Sequence, residues 1–182
     1  MTLIYFLKLK LESLFYKLRI IFYYYFFRTD KITIGKNLRI KGGRGVHSFG
    51  ENLHVYDNVV FECHSNFAKI ETGKNCIFSF GVIISCSTQI KIGNDVWVGE
   101  YCSIRDSTHQ FSIFTSLSKT FDKTSPILIG NNVWIGKNSL ILPGSIIGDN
   151  VVIAPGSVIK AECLSNSLYA GNPAVFVKQL KN

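Results

Sequence analysis

His109, in the stretch "IRDSTHQFS" at residues 104–112, is the side chain of this sequence most suited to proton chemistry. A neutral imidazole accepts a proton and returns it near neutral pH, which makes histidine the commonest general acid–base group. Asp106, three residues earlier, offers a carboxylate that could orient such a ring, and it equally fits a solvent-facing turn residue. The other histidines, His47, His54 and His64, have no spacing that suggests a ligand set. The five cysteines are odd in number and form no CxxC pair, which fits a reducing compartment and argues against both a disulfide framework and a zinc site. On residue type alone, His109 fits a general base and a solvated loop histidine alike.

The elements that must position it are legible as a period. From Ile129 the chain divides into sixes: "IGNNVW", "IGKNSL", "ILPGSI", "IGDNVV", "IAPGSV", "IKAECL". Isoleucine opens each unit, and a small or β-branched residue (Val133, Ser139, Ser145, Val151, Ser157, Cys163) fills each fifth place. The same beat runs upstream through Ile92, Val98 and Ile104, and more loosely through Thr72, Phe78 and Ile84, with two extra residues between Ile84 and Ile92. A six-residue strand–turn unit cannot bury its own aliphatic side chain, whereas stacked coils can. The period therefore predicts an all-β fold, a parallel β-solenoid over residues 31–164, less regular over 31–69. Cys76, Cys102 and Cys163 occupy the small fifth place, so packing explains them. After Ile104 the next unit should open at 110 and instead opens at Ile129. Residues 110–128 are thus expected to leave the solenoid as a loop, the kind of excursion that tends to carry function.

Residues 1–30 differ in composition from the rest. Ile4, Leu7, Leu11, Leu14, Phe15, Leu18, Ile21 and Phe22 fall on one face of a helical projection, with Lys8, Lys10, Lys17 and Arg19 at its borders. This is the pattern of an amphipathic α-helix that lies in a membrane interface, or packs on its own domain or a neighbouring subunit. Its uncharged runs are too short to span a bilayer. Residues 165–182 read as a C-terminal tail. The formal net charge of +8 suggests an anionic partner, and no nucleic-acid-binding motif is present.

The run "ILIGNNVWIGKNSLILPGSIIGDNVVIAPGSVIK", followed by "AGNPAVFVKQL", resembles the hexapeptide-repeat acyltransferases, and most closely their galactoside, maltose and surface-polysaccharide O-acetyltransferase branch. That resemblance implies a left-handed parallel β-helix, a homotrimer, acetyl-CoA as co-substrate and no metal. It also implies that His109 is the catalytic base at the start of an extruded loop that walls the acceptor site. Lys137 and Pro155 then fall where backbone meets the pantetheine arm, and Lys178 where a cation meets the nucleotide phosphates. Lys160 stands one place before the lysine usual after the sixth repeat, and Val175 replaces a second basic position. Trp134 fits a groove wall or interface, and Ser79 replaces an asparagine that touches the acceptor in sugar-acetylating relatives.

Three functions follow as expectations. The first is acetyl transfer from acetyl-CoA to a hydroxyl of a surface polysaccharide, capsule or lipopolysaccharide, or of its precursor. The chain would then be cytoplasmic, with residues 1–28 touching the inner face of the cell membrane. The second is N-acetylation of an amino sugar nucleotide or small amine. The third is a non-catalytic β-solenoid binding module, which has no use for His109 at a loop mouth.

Overall fold

The computed structural model describes residues 31–42, 46–116 and 122–181, together with Leu14, Phe15, Leu18 and Ile21. Those last four are helical and exposed; the rest of the amphipathic helix expected within 1–30 lies outside the described residues. No described helix is long and apolar enough to cross a membrane.

The chain winds into a three-sided parallel β-helix. The first coil is β1 (Ile32–Ile34), β2 (Arg39–Gly42) and β3 (Val46–Phe49); the second is β4 (Leu53–Val55), β5 (Val60–Cys63) and β6 (Lys69–Thr72). The third is β7 (Ile77–Phe78), β8 (Ile83–Cys86) and β9 (Gln89–Ile92). The fourth holds β10 (Trp97–Val98) and β11 (Ser103–Arg105), leaves the helix as β12 (Ser107–His109) and β13 (Asp122–Thr124), and returns as β14 (Ile127–Ile129). The fifth is β15 (Trp134–Ile135), β16 (Leu140–Ile141) and β17 (Ile146–Ile147); the sixth is β18 (Val152–Ile153), β19 (Val158–Ile159) and β20 (Glu162–Cys163). Finally β21 (Ser167–Gly171) adds a seventh rung to the first face, and β22 (Ala174–Gln179) pairs antiparallel with it. Residues 165–182, expected as a tail, thus largely complete the first face.

The three faces, A, B and C, are the successive strands of each coil stacked in parallel register. The first-position residues of the repeat point inward: Val98, Ile104, Ile129, Ile135, Ile141, Ile147, Ile153 and Ile159 are all buried. Each meets its equivalent one coil away, as Ile104 meets Ile84 and Ile141. The buried fifth-place hydroxyls are satisfied locally. Ser139, Ser145 and Ser157 each donate at 2.7 Å to the carbonyl three residues back, on Gly136, Leu142 and Ala154. The cysteines in that place bond most closely to the next coil instead: the Cys76 thiol donates to Gly93 O and the Cys102 thiol to Gly136 O, at 3.2 and 3.1 Å. Burial pushes the thiols of Cys76, Cys102 and Cys163 up to about 11.

Two corners are strict and one is not. At the AB corner, Asn37, Asn58, Gly81, Tyr101, Asn138 and Gly156 take positive φ; at the CA corner, Asn52, Asn75, Asp95, Asn132, Asn150 and Asn166 do. Asparagine and glycine suit this left-handed conformation, and the CA asparagines also bond along the axis, Asn132 to Asn150 and Asn150 to Asn166, each at 2.8 Å. The BC corner varies in length from coil to coil. It absorbs the two extra residues between Ile84 and Ile92, and it releases the excursion of the fourth coil.

That excursion is a β-arm, and its limits correct the expected loop at 110–128. It begins directly after Asp106, and the chain is already back in face C at Ile127, which is buried and paired with Ile90. Polar strands such as β12 and β13 leave no hydrophobic period to read. Asp106 is a second correction, being neither a solvent-facing turn residue nor a partner of His109. It is fully buried, and its carboxylate accepts from Ser87 N (2.6 Å), Thr88 N (2.7 Å), Thr88 Oγ1 (2.8 Å) and Gln89 N (2.9 Å). Its backbone carbonyl accepts from Ser125 N at 2.8 Å, so one residue holds the third-coil corner and both ends of the arm.

Asp106→Asn turns an amide toward this crowd of donors. It is expected to cost about 3 kcal/mol, or roughly 6–12 °C in Tm by calorimetry. The raised thiols supply a second check. Between pH 9 and about 11 the folded chain keeps protons that the unfolded chain has lost. Stability should therefore fall as pH rises through that window, and the fall should be smaller in Cys163→Ala by denaturant titration.

Candidate active site on the irregular edge

The arm is an antiparallel pair in which Ser107 faces Thr124, Thr108 faces Lys123 and His109 faces Asp122. Directly opposed residues on one face come within side-chain reach. Here His109 Nδ1 lies 2.6 Å from Asp122 Oδ1. With Nδ1–H donating to that carboxylate, Nε2 keeps its lone pair on a largely exposed ring. An acceptor nitrogen held in one tautomer by a carboxylate is the arrangement of an oriented general base. Asp122 was missed by the sequence reading. It stands thirteen residues away, and only knowledge of the hairpin register would have paired it with His109.

Beyond the pair, Phe111, Ile113 and Phe114 are exposed on the arm, where Phe114 N donates to Ser112 Oγ at 3.1 Å. Toward the helix axis the Cys63 and Cys86 side chains stack in register on neighbouring coils. The two thiols act on each other most, which holds Cys63 below the usual thiol range and pushes Cys86 above it. The Cys86 thiol in turn donates to Asp106 Oδ2 at 3.6 Å. These groups are buried and belong to the support of the arm. No group of three or more His, Cys, Asp or Glu able to hold a metal occurs among the described residues.

The residues that the resemblance linked to acyl donor and acceptor fall in three places. Ser79, Lys137 and Pro155 share the AB corner, on the third, fifth and sixth coils, with Lys137 and Pro155 exposed. The Lys137 carbonyl accepts from Gly156 N at 2.8 Å, so neighbouring coils present a continuous backbone edge there, suited to an extended amide-containing arm. Lys160 is exposed on the BC corner, two coils beyond the β-arm. Trp134 lies outward on face A, stacked in register between Trp97 and Val152, and Lys178 sits on β22 opposite Leu168. A cleft of about 790 Å³ covers that part of face A, with Trp97, Trp134, Asn132 and Asn150 in its wall. Trp134 alone of the expected donor residues lines it. His109 and the AB-corner group are therefore on different edges of the prism, separated by face B, whose three-residue β11 spans roughly 10 Å.

Residues 126–161 match the family described as bacterial transferase hexapeptide (six repeats). No curated protein matches the chain in sequence. Among solved structures it is similar to a mutant of AntD, an N-acyltransferase from Bacillus cereus in complex with dTDP and coenzyme A. That match has 20% identity and a TM-score of 0.74, over 84% of this chain and 83% of the other. A hexapeptide-repeat acetyltransferase from Vibrio cholerae complexed with acetyl coenzyme A matches at 21% identity and TM-score 0.60, over 85% and 70%. A maltose O-acetyltransferase from Clostridium difficile matches at 26% identity and TM-score 0.51, over 84% and 71%. The chain carries the bacterial transferase hexapeptide repeat and has the fold of the hexapeptide-repeat acyltransferases built on it.

Proposed function

We propose that the chain transfers an acetyl group from acetyl-CoA to a hydroxyl of a glycan or glycan precursor, with His109 as general base. The observation that carries this reading is the His109–Asp122 pair on an arm that leaves a hexapeptide-repeat fold. Asp122 holds the ring through Nδ1, and Nε2 removes the acceptor hydroxyl proton as oxygen attacks the thioester carbonyl. Nε2 then gives that proton to the departing thiolate, so charge and protons balance without a covalent enzyme intermediate. Lys137 and Pro155 would hold the pantetheine arm along the AB edge, and Lys160 and Lys178 are exposed cations available to phosphates. Since His109 and the AB edge are on different corners of one chain, the reading requires a homo-oligomer in which one copy supplies the base and its neighbour the edge. Symmetric assembly provides such pairs at every interface. A trimer is the assembly we propose, cytoplasmic, with residues 1–28 against the membrane face.

N-acylation of an amino sugar nucleotide is the second reading, favoured by the similarity to AntD. The oriented base weighs against it. A neutral amine attacks through its lone pair and can lose its proton afterwards, whereas a hydroxyl must be deprotonated as the bond forms.

Coenzyme A release, measured against a panel of sugars, sugar nucleotides, amino sugars and capsular oligosaccharides, tests both. His109→Ala should lower acceptor-dependent kcat by 10² or more, and Asp122→Asn by about 10-fold to 10²-fold, with coenzyme A affinity unchanged. Turnover only with amines would replace the first reading by the second. Equal rates in wild type and His109→Ala would remove the base assignment.

A further inference from the structure

The AB corner holds one residue that the fold itself does not ask for. Five of its six positive-φ positions are Asn or Gly, and the sixth, on the coil that bears the arm, is Tyr101 with φ 57°. A bulky L-residue is disfavoured there, and such an outlier is a lead to function. Its neighbourhood is fitted to it. Tyr101 N bonds Phe80 O at 2.9 Å, as the corner requires, and the two rings meet edge to face at 5.3 Å and 71°. The corner residue below is Gly81, where an added Cβ would come within 2.8 Å of Tyr101 Cδ1. A glycine there leaves room for the phenol ring. Nevertheless the phenol is not buried: Tyr101 is 60% and Phe80 37% exposed. The chain thus accepts a disfavoured backbone and clears space beneath it, yet gains little burial.

We propose that Tyr101 and Phe80 form a stacking platform for the pyranose ring of the acceptor. An exposed aromatic pair offers a flat apolar face to the axial C–H groups of a sugar, while Ser79 and the exposed Glu100, each adjacent in sequence, offer oxygens to its hydroxyls. The Glu100 carboxylate also disfavours the phosphorylated end of a nucleotide at this spot, which sets a neutral sugar above an adenine ring as occupant. Naming the sugar as acceptor rests on the transfer reading above; the platform itself does not.

The test compares the full chain with Tyr101→Asn, the residue its corner normally carries, and with Phe80→Ala. Saturation-transfer NMR would use methyl glycosides of hexoses and N-acetylhexosamines as probes. At least one glycoside should receive magnetisation from wild type, and its Kd should rise about tenfold or more in Tyr101→Asn. Tm in that variant should stay level or rise by roughly 2–4 °C, because strain is relieved. Coenzyme A affinity and assembly size should not change. No glycoside bound by wild type, an unchanged Kd in Tyr101→Asn, or a change in coenzyme A affinity or assembly size in place of glycoside binding would each overturn the platform. Acetyl transfer with an acceptor KM unmoved by Tyr101→Asn would sink the platform alone. Glycoside binding lost in Tyr101→Asn, without acetyl transfer by wild type, would sink the transfer reading alone.

Discussion

Every coil must turn three times within three short strands, and a chain with side chains reverses so tightly most readily through a residue at positive φ. At the AB and CA corners this is done at one position per coil, and asparagine, aspartate or glycine fills that position in all but one of twelve cases. Register follows from it. With two corners fixed, each aliphatic first-position residue lands on its equivalent in the next coil, and the backbone bonds between coils form without gaps. Burial of the isoleucine columns supplies most of the stabilisation, but the corners decide that they are columns at all.

The freedom that remains lies at the BC corner, and that is where the fold departs from its own rhythm. Extra residues there do not disturb the AB and CA corners, so an arm can leave the fourth coil and return in register. Asp106 makes the exit rigid. Its buried carboxylate ties the corner below, while its carbonyl meets the returning strand at Ser125. The His109–Asp122 pair is thus held by a hairpin whose base is anchored in the core, which a flexible loop of the same length would not achieve. The cost is that His109 stands on an edge of its own, away from Ser79, Lys137 and Pro155, so the proposed chemistry calls for a second copy.

Legibility in the sequence tracked how each feature is encoded. From Ile129 to Cys163 the period is strict because all corners there are short, and the six-residue unit maps directly onto strands. Over 31–69 the strands lengthen to three or four residues, and the beat of six that runs through Phe49, Val55 and Phe61 is lost across the BC corner, from Ile40 to Phe49 and from Phe61 to Thr72. His109 was found because it sits where the beat fails. Asp106 was misplaced because a carboxylate can be buried only if donors surround it, and those donors come from Ser87 to Gln89 on another coil. Asp122 escaped because pairing across a polar hairpin depends on register, which polar residues specify weakly. Tyr101 was overlooked for the opposite reason: only the corner conformation shows that a tyrosine there is out of place.

The most direct test of a site shared between copies is acetyl transfer by mixed assemblies. His109→Ala and the AB-edge double variant Ser79→Trp/Lys137→Glu, each inactive alone, would be co-expressed in equal amounts and purified together. If base and edge come from different copies, random mixing restores about one site in four, and activity should return to roughly a quarter of wild type. Mixed assemblies as inactive as either parent would contradict the account, since the base and the donor edge would then have to act within one chain.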